Sequence, residues 1–305
     1  MKKAIITVAA ALITIIAAVT FKNVYSCEMP IRNRGIHDAI KTGDLDVLFI
    51  GSSTFRANID MPAMDEAFDG RVYDISYGGN QLVATSIQYD ELKRRSGNDY
   101  GMIVFELGPM MLTQEIALSD SRVIWDLTWE GKKQLWKSMY TAGNTDFPMM
   151  YEYFVTSGMD DLVTFPVTEP FYGTRYYKGA KTDETGSPGE AVLEGEEFDI
   201  SDKTLVQAQA DAVADIIRKC RDDGQEFIFL ESPCYHRLQK DPTFIKYRKE
   251  YIRILDENDA PYILADDVEF ESDDPEYFED MNHMSAKGRR AYTKELIRLL
   301  KKGIH

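Results

Sequence analysis

Three cysteines are all this 305-residue chain contains, at Cys27, Cys220 and Cys234, and no two of them form a C-x-x-C pair. That excludes a cysteine-built zinc site and a thioredoxin-type redox centre. Cys220 and Cys234 could pair only outside the cytoplasm. Positive charge is also short: 35 Lys and Arg stand against 51 Asp and Glu, for a net charge of -16 and a pI near 4.8. Nucleic acid is excluded as a partner, because phosphate binding needs a basic surface. Broad docking onto anionic lipid is disfavoured for the same reason. The acidic run from Asp266 to Glu279 lacks an EF-hand pattern and reads as a solvated loop. No internal repeat is visible.

Long apolar runs are rare too, and the one present is terminal. Met1-Lys2-Lys3 precedes an uncharged stretch from Ala4 to Phe21, closed by Lys22. Its eighteen residues reach the lower edge of a membrane span. Two lysines in front predict an inside N-terminus and an outside remainder. A signal peptide would have a shorter apolar core, and Val24-Tyr25-Ser26-Cys27 only faintly resembles a lipoprotein cleavage box. The segment 1–27 is therefore expected to be an uncleaved anchor, with 28–305 on the outer face of a cell membrane.

What remains is globular in composition, 44% apolar and 11% aromatic. Five β-rich runs recur: Val47–Ile50, Val72–Ser76, Met102–Leu107, Phe227–Leu230 and Tyr262–Leu264. Their continuous apolar character predicts strands covered on both faces. Between them lie helical patterns from Asp60 to Phe68, Gln81 to Arg95, Asp202 to Arg221, Tyr247 to Leu255 and Ser285 to Lys302. Alternating strands and helices predict an α/β fold with a doubly wound parallel sheet, whose ligand lies beyond the carboxyl ends of the strands. Residues from about 110 to 200 break the rhythm. They hold Trp125, Trp129, Trp136 and a series of Phe and Tyr from Phe147 to Tyr177, followed by a polar stretch from Lys181 to Glu197. We read them as an inserted, partly helical cap after the third strand.

Four segments carry chemistry, three at strand ends and one just ahead of the last helix. Gly51-Ser52-Ser53 turns off the first strand and offers two hydroxyls that composition does not separate. Asp74 to Gly79 ends in glycines that let backbone N–H groups approach a ligand and stabilise an oxyanion. Glu106 closes the third strand near the presumed cleft, where it could bond the active loop or tune a pKa. Asp280-Met281-Asn282-His283 places a carboxylate three residues before an imidazole, the arrangement that fixes a histidine tautomer for proton transfer. Of four histidines, His305 is terminal, His37 lies near the anchor, and His236 follows a strand and reads as a substrate contact. A metal at Asp280 and His283 would need further ligands at suitable spacing, and none is evident.

Taken together these segments resemble the SGNH/GDSL hydrolase superfamily over residues 44 to 110 and 200 to 302. Gly51-Ser52-Ser53 matches its Gly-Asp-Ser block, with Ser53 at the nucleophile position. Asp74 to Gly79 matches the second block, and Asp280 to His283 the Asp-x-x-His block. The third block departs: the family has Gly-x-Asn-Asp, and this chain reads Gly108-Pro109-Met110-Met111. The oxyanion-hole asparagine is thus replaced by Met110. In this the chain is similar to divergent membrane-anchored branches, the D-alanyl transfer protein of the Dlt pathway and the acetyltransferase-like proteins of alginate assembly.

The resemblance implies a flavodoxin-like three-layer sandwich with a five-stranded parallel sheet, and a serine esterase or acyltransferase. Ser53 would be the nucleophile, His283 its base and Asp280 the orienter, with N–H groups of Ser53 and Gly79 as the oxyanion hole. Ser52, Arg56, Asn80, Glu106 and His236 are candidates to line the substrate. No metal or organic cofactor is expected. Acetyl or D-alanyl groups on envelope polysaccharide or teichoic acid are the expected substrates, with a membrane-bound acyltransferase as a candidate partner. The alternatives are an inactive glycan-binding or scaffolding domain and, if the N-terminal run does not insert, a cytoplasmic flavodoxin-like regulator.

Overall fold

The computed structural model describes residues 2–25, 35–117, 123–143, 176–195 and 199–302, with 148, 151 and 155. Five parallel strands form the main sheet: β1 (Leu45–Ile50), β2 (Val72–Asp74), β3 (Tyr100–Glu106), β6 (Phe227–Leu230) and β7 (Tyr262–Ile263), in the order β2-β1-β3-β6-β7. A two-residue hairpin, β4 (Tyr176–Tyr177) with β5 (Ala180–Lys181), stands apart from it. This is the flavodoxin-like strand order, in which the chain runs from β1 to one side and then crosses to the other. The carboxyl ends of β1 and β3 therefore border a crevice.

Alternation along each strand divides the core into two. Leu48, Ile50, Ile103, Phe105 and Phe229 face one way, against α2 (Gly35–Thr42), α5 (Leu82–Arg95), α7 (Trp129–Thr141) and α9 (Gln207–Asp222). Val47, Phe49, Val104, Ile228 and Leu230 face the other, against α3 (Ser53–Asn58), α4 (Met61–Ala67) and α12 (Ala286–Lys302). Short helices α6 (Val123–Asp126), α8 (Glu190–Gly195) and α10 (His236–Gln239), and the longer α11 (Pro242–Glu257), complete the layers. Burial on both faces explains why these strands read as unbroken apolar runs. Cys220 and Cys234 are both buried and free, one in each core.

Several element boundaries differ from the sequence reading. The strand from Val72 ends at Asp74, where the side chain accepts from the Ser76 N–H (2.8 Å) and turns the chain. The helix expected from Asp202 starts at Gln207 instead, because the Val206 N–H is held by the Leu112 carbonyl (2.9 Å) in extended backbone, and Leu205 lies outside it. The helix expected at Tyr247 starts at Pro242, capped by Asp241 through the N–H groups of Thr243 and Phe244. Ser285 does cap α12: its hydroxyl accepts from the Gly288 N–H (3.2 Å).

The N-terminal helix α1 (Lys2–Tyr25) contains one stretch, Lys2–Lys22, long and apolar enough to cross a membrane, and its apolar window is not buried in the rest of the protein. Phe147, Tyr153, Phe154, Phe165, Phe171 and Tyr172, which gave the 110–200 segment much of its aromatic character, lie outside the described residues, as does Cys27.

Candidate active site

The crevice at the ends of β1 and β3 brings distant parts of the chain together. Gly51 follows the last residue of β1, Ser52 is the N-cap of α3, and Ser53 is the first residue of that helix. Ser52 accepts from the Thr54 N–H through its hydroxyl (3.2 Å). It also donates from both its backbone N–H and its hydroxyl to the Glu106 carboxylate, the hydroxyl bond being 3.0 Å. This leaves no room at residue 51. A Cβ there would collide with the Glu106 carboxylate, with its Cβ (2.6 Å) and with the Phe55 ring (2.9 Å). The glycine, the capping serine and the glutamate thus form one packed unit that presents Ser53.

Ser53 Oγ lies 2.9 Å from Nε2 of His283, and His283 Nδ1 lies 2.8 Å from Asp280 Oδ2. The other Asp280 oxygen accepts from the N–H groups of Asn282 and His283, each at 2.8 Å. One carboxylate therefore fixes both the loop and the ring. Burial pulls the His283 pKa down, but the Asp280 hydrogen bond and charge outweigh it, with help from Glu106 and Glu279, and hold the value above the usual 6.5. Burial pushes the Asp280 carboxyl up, but bonding to His283 and to the two N–H groups brings it below its ordinary value. The geometry is that of a serine hydroxyl, an imidazole and an orienting carboxylate in line.

Ser53 and Gly79 line one cavity of about 140 Å³, together with Leu107, Pro109, Met110 and Phe244 among others. Gly79 adopts φ +61°, a backbone conformation that favours glycine. Neither the Ser53 N–H nor the Gly79 N–H donates to a protein acceptor among the described residues. Both are thus available to a ligand oxygen. A larger polar cleft of about 790 Å³ adjoins, sharing Gly79, Met110, Gln114, Leu238 and Asn282 with the first.

The other residues singled out in the sequence part company here. Ser52 and Glu106 line the Ser53 cavity, but both are buried and occupied with each other. Asn80 is buried and bonds the Gly51 carbonyl (3.1 Å), Thr85 and Gln88, so it braces the turn below Ser53. Arg56 lies over the Tyr176 ring, 5.9 Å from its centre. His236 approaches Glu194 (3.5 Å) and lines neither cavity. Arg56, Asn80 and His236 are therefore not brought to the cavity wall.

Two amides the sequence reading did not single out are at that wall. Gln114 and Asn282 line both cavities, and neither side-chain amide has a hydrogen-bond partner among the described residues. Asn282 could have been suspected from its place inside Asp280–His283. Gln114 gives no local signal, because it reaches the cleft through the 3-10 turn Pro109–Thr113. No group of three or more His, Cys, Asp or Glu that could hold a metal ion occurs among the described residues.

No protein-family model matches this chain, and no curated protein does. Solved structures similar to it include a GDSL-like lipase from Bacteroides thetaiotaomicron, 12% identical, with 87% of this chain and 90% of that one covered and a TM-score of 0.40. Another is a catalytic mutant of an acetylxylan esterase from Geobacillus stearothermophilus, also 12% identical, covering 86% of this chain and 96% of that one at a TM-score of 0.40.

Proposed function

We propose that this chain is an SGNH-type serine esterase or O-acyltransferase, held at the outer face of a cell membrane by its N-terminal helix. The observation that carries the reading is the aligned trio of Ser53, His283 and Asp280, with 2.9 Å and 2.8 Å between partners, beside two N–H groups that have no protein acceptor among the described residues. Ser53 Oγ attacks the carbonyl carbon of an acyl ester while its proton passes to His283 Nε2. The oxyanion is met by the N–H groups of Ser53 and Gly79. The tetrahedral intermediate collapses, and His283 returns the proton to the departing alcohol. Water or a second alcohol then takes the acyl group from Ser53 with His283 as base, which regenerates the serine. Asp280 stabilises the imidazolium at each stage.

The acyl group is an acetyl or D-alanyl unit, and the polymer an envelope polysaccharide or teichoic acid. Compartment supports this: an outward-facing anchored enzyme meets such polymers first. The resemblance to the Dlt-pathway and alginate-assembly proteins supports it further, and adds a membrane-bound acyltransferase as the partner that supplies or receives the acyl group.

Met110 favours one rival. It replaces an oxyanion donor whose loss costs roughly 10²–10³ in rate, and an inactive glycan-binding or scaffolding domain would tolerate that change. A serine-directed fluorophosphonate separates the two. Labelling of the wild type that disappears in Ser53→Ala supports the enzyme. Absence of labelling in folded wild-type protein would leave the binder.

A further inference from the structure

The loop that carries His283 and the helix that carries Ser53 are 230 residues apart in sequence. Something must hold them in register while the imidazole moves a proton. Asp280 does not do so, because it belongs to the same loop and orients the ring relative to that loop alone.

Asn58 does span the gap. It is the last residue of α3 and is fully buried. Its Nδ2 donates to the carbonyl oxygen of Asn282 (3.0 Å), and its Oδ1 accepts from the N–H of Met284 (2.8 Å). Those two backbone groups flank His283 on either side. Apart from the Ser53–His283 contact itself, these are the side-chain hydrogen bonds that join α3 to residues 279–285 among the described residues. A carboxamide suits the task because it offers one donor and one acceptor a short distance apart. Aspartate could accept from Met284 but would set an oxygen against the Asn282 carbonyl. Alanine would leave the buried Met284 N–H and the part-buried Asn282 carbonyl without this partner.

The C-terminal end of α3 is also anchored through other groups. The Asp60 N–H donates to Thr293 Oγ1 (2.8 Å), and Arg289 of α12 reaches the Ala57 carbonyl (3.5 Å). Arg289 also bonds the carbonyls of Lys181 (3.0 Å) and Asp183 (2.8 Å). The helix therefore has supports that survive loss of the Asn58 side chain, and what is lost locally is the registration of the His283 peptide planes.

We infer that Asn58 is a positioning residue of the reaction, a two-point clamp that sets the His283 imidazole against Ser53 Oγ. The inference rests on the catalytic reading of Ser53 and His283. The charged groups acting on His283 are Asp280, Glu279 and Glu106, and none is bonded to Asn58. Loss of the clamp should thus lower the rate without moving the pH at which His283 titrates.

The experiment uses the full chain, p-nitrophenyl acetate and a fluorophosphonate probe, with circular dichroism to establish folding. Asn58→Ala is expected to lower kcat and the labelling rate by ~10- to 100-fold, the penalty for misplacing a reacting group by about an ångström. KM and the midpoint of the acid limb should stay where they are. Asn58→Asp, nearly isosteric, should also lower kcat and should raise that midpoint, because it adds a carboxylate near the imidazole. A folded Asn58→Ala protein with wild-type kcat overturns the inference, as does a loss accounted for by a moved midpoint. If the alanine variant does not fold, wild-type kcat in the aspartate variant overturns it. Failure of the catalytic reading looks different: the wild type itself would neither hydrolyse nor label. The clamp is then read by imidazole NMR, where Asn58→Ala should broaden or split the His283 resonances, and an unchanged single set would overturn it.

Discussion

Ser52 directs both its N–H and its hydroxyl at the Glu106 carboxylate, so the residue just before Ser53 is fixed by the end of the neighbouring strand. Both partners are buried, and burial pushes the Glu106 carboxyl above its usual value while the Ser52 donors pull it back. Glu106→Ala would strand two donors, each costing about 1–3 kcal/mol when left unpaired, and open a cavity beneath Gly51. We expect a loss of about 2–5 kcal/mol in unfolding free energy, measured by urea titration, with slower fluorophosphonate labelling of Ser53. Glu106→Gln keeps one acceptor and should fall between the two. A stability equal to wild type in Glu106→Ala would show that Ser52 finds other partners.

The proposed mechanism makes the pH dependence of catalysis follow from His283. The base must be neutral, and its pKa lies above 6.5, so kcat/KM should rise with pH through a midpoint above 6.5. The ion pair with Asp280 also contributes to folding below pH 6.5, and that contribution is lost as pH rises through the folded-state value. Asp280→Asn removes the charge that holds the proton, leaving burial to dominate. The midpoint should move down, and the plateau should drop by up to ~10⁴ because the ring loses its enforced tautomer. Rate profiles of the two proteins on one ester decide it. A midpoint that moves upward in Asp280→Asn would contradict the assignment of Asp280.

These parts were not equally legible in the sequence. Ser53, Asp280 and His283 announce themselves because each sits in a short local pattern, Ser53 at the end of an apolar run and the Asp-x-x-His pair just ahead of a helix. The strands from Val47 and Phe227 were readable because burial on both faces leaves only apolar side chains. The order β2-β1-β3-β6-β7 instead agrees with a rule about alternating strands and helices that no single residue states. Asn58 was silent, since its two bonds reach residues 224 and 226 positions away. Asn80 misled for a related reason: a polar residue beside two glycines looks like a ligand contact, yet it is buried and its amide nitrogen donates to Gly51 and Gln88.

Asp74 makes a second pH effect, on stability. Burial raises its pKa to about 7, although hydrogen bonds from Ser76 and the charge of Arg56 pull the other way. An unfolded aspartate ionises near ~3.9. Between these values folding takes up a proton, so stability falls as pH rises, by about 1.4 kcal/mol per unit. Asp74→Asn carries no proton and keeps an acceptor for the Ser76 N–H. From pH 5 to pH 8 the variant should gain about 2–3 kcal/mol relative to wild type, read from urea titrations at the two values. Parallel pH curves would mean that Asp74 is already ionised in the folded protein at pH 5.

On the proposed reading, Met110 combines a missing donor with a new wall. It stands where the resembling family has its oxyanion asparagine, packs against the core that holds Leu230 and Phe244, and lines both the 140 Å³ cavity and the polar cleft beside it. A thioether in that place cannot donate a hydrogen bond, but it can bound the space next to Ser53. The smaller cavity should therefore accept short acyl groups and resist long ones. On p-nitrophenyl esters we expect kcat/KM to fall at least ~10-fold from acetyl to hexanoyl, within the range that added methylenes cost in a closed pocket. Met110→Ala removes the wall without restoring a donor. It should leave the acetyl rate nearly unchanged and reduce the acetyl-to-hexanoyl ratio several-fold. If the ratio is the same in both proteins, Met110 does not bound the acyl group. If the acetyl rate collapses instead, its packing against that core is what keeps the Ser53 turn in place.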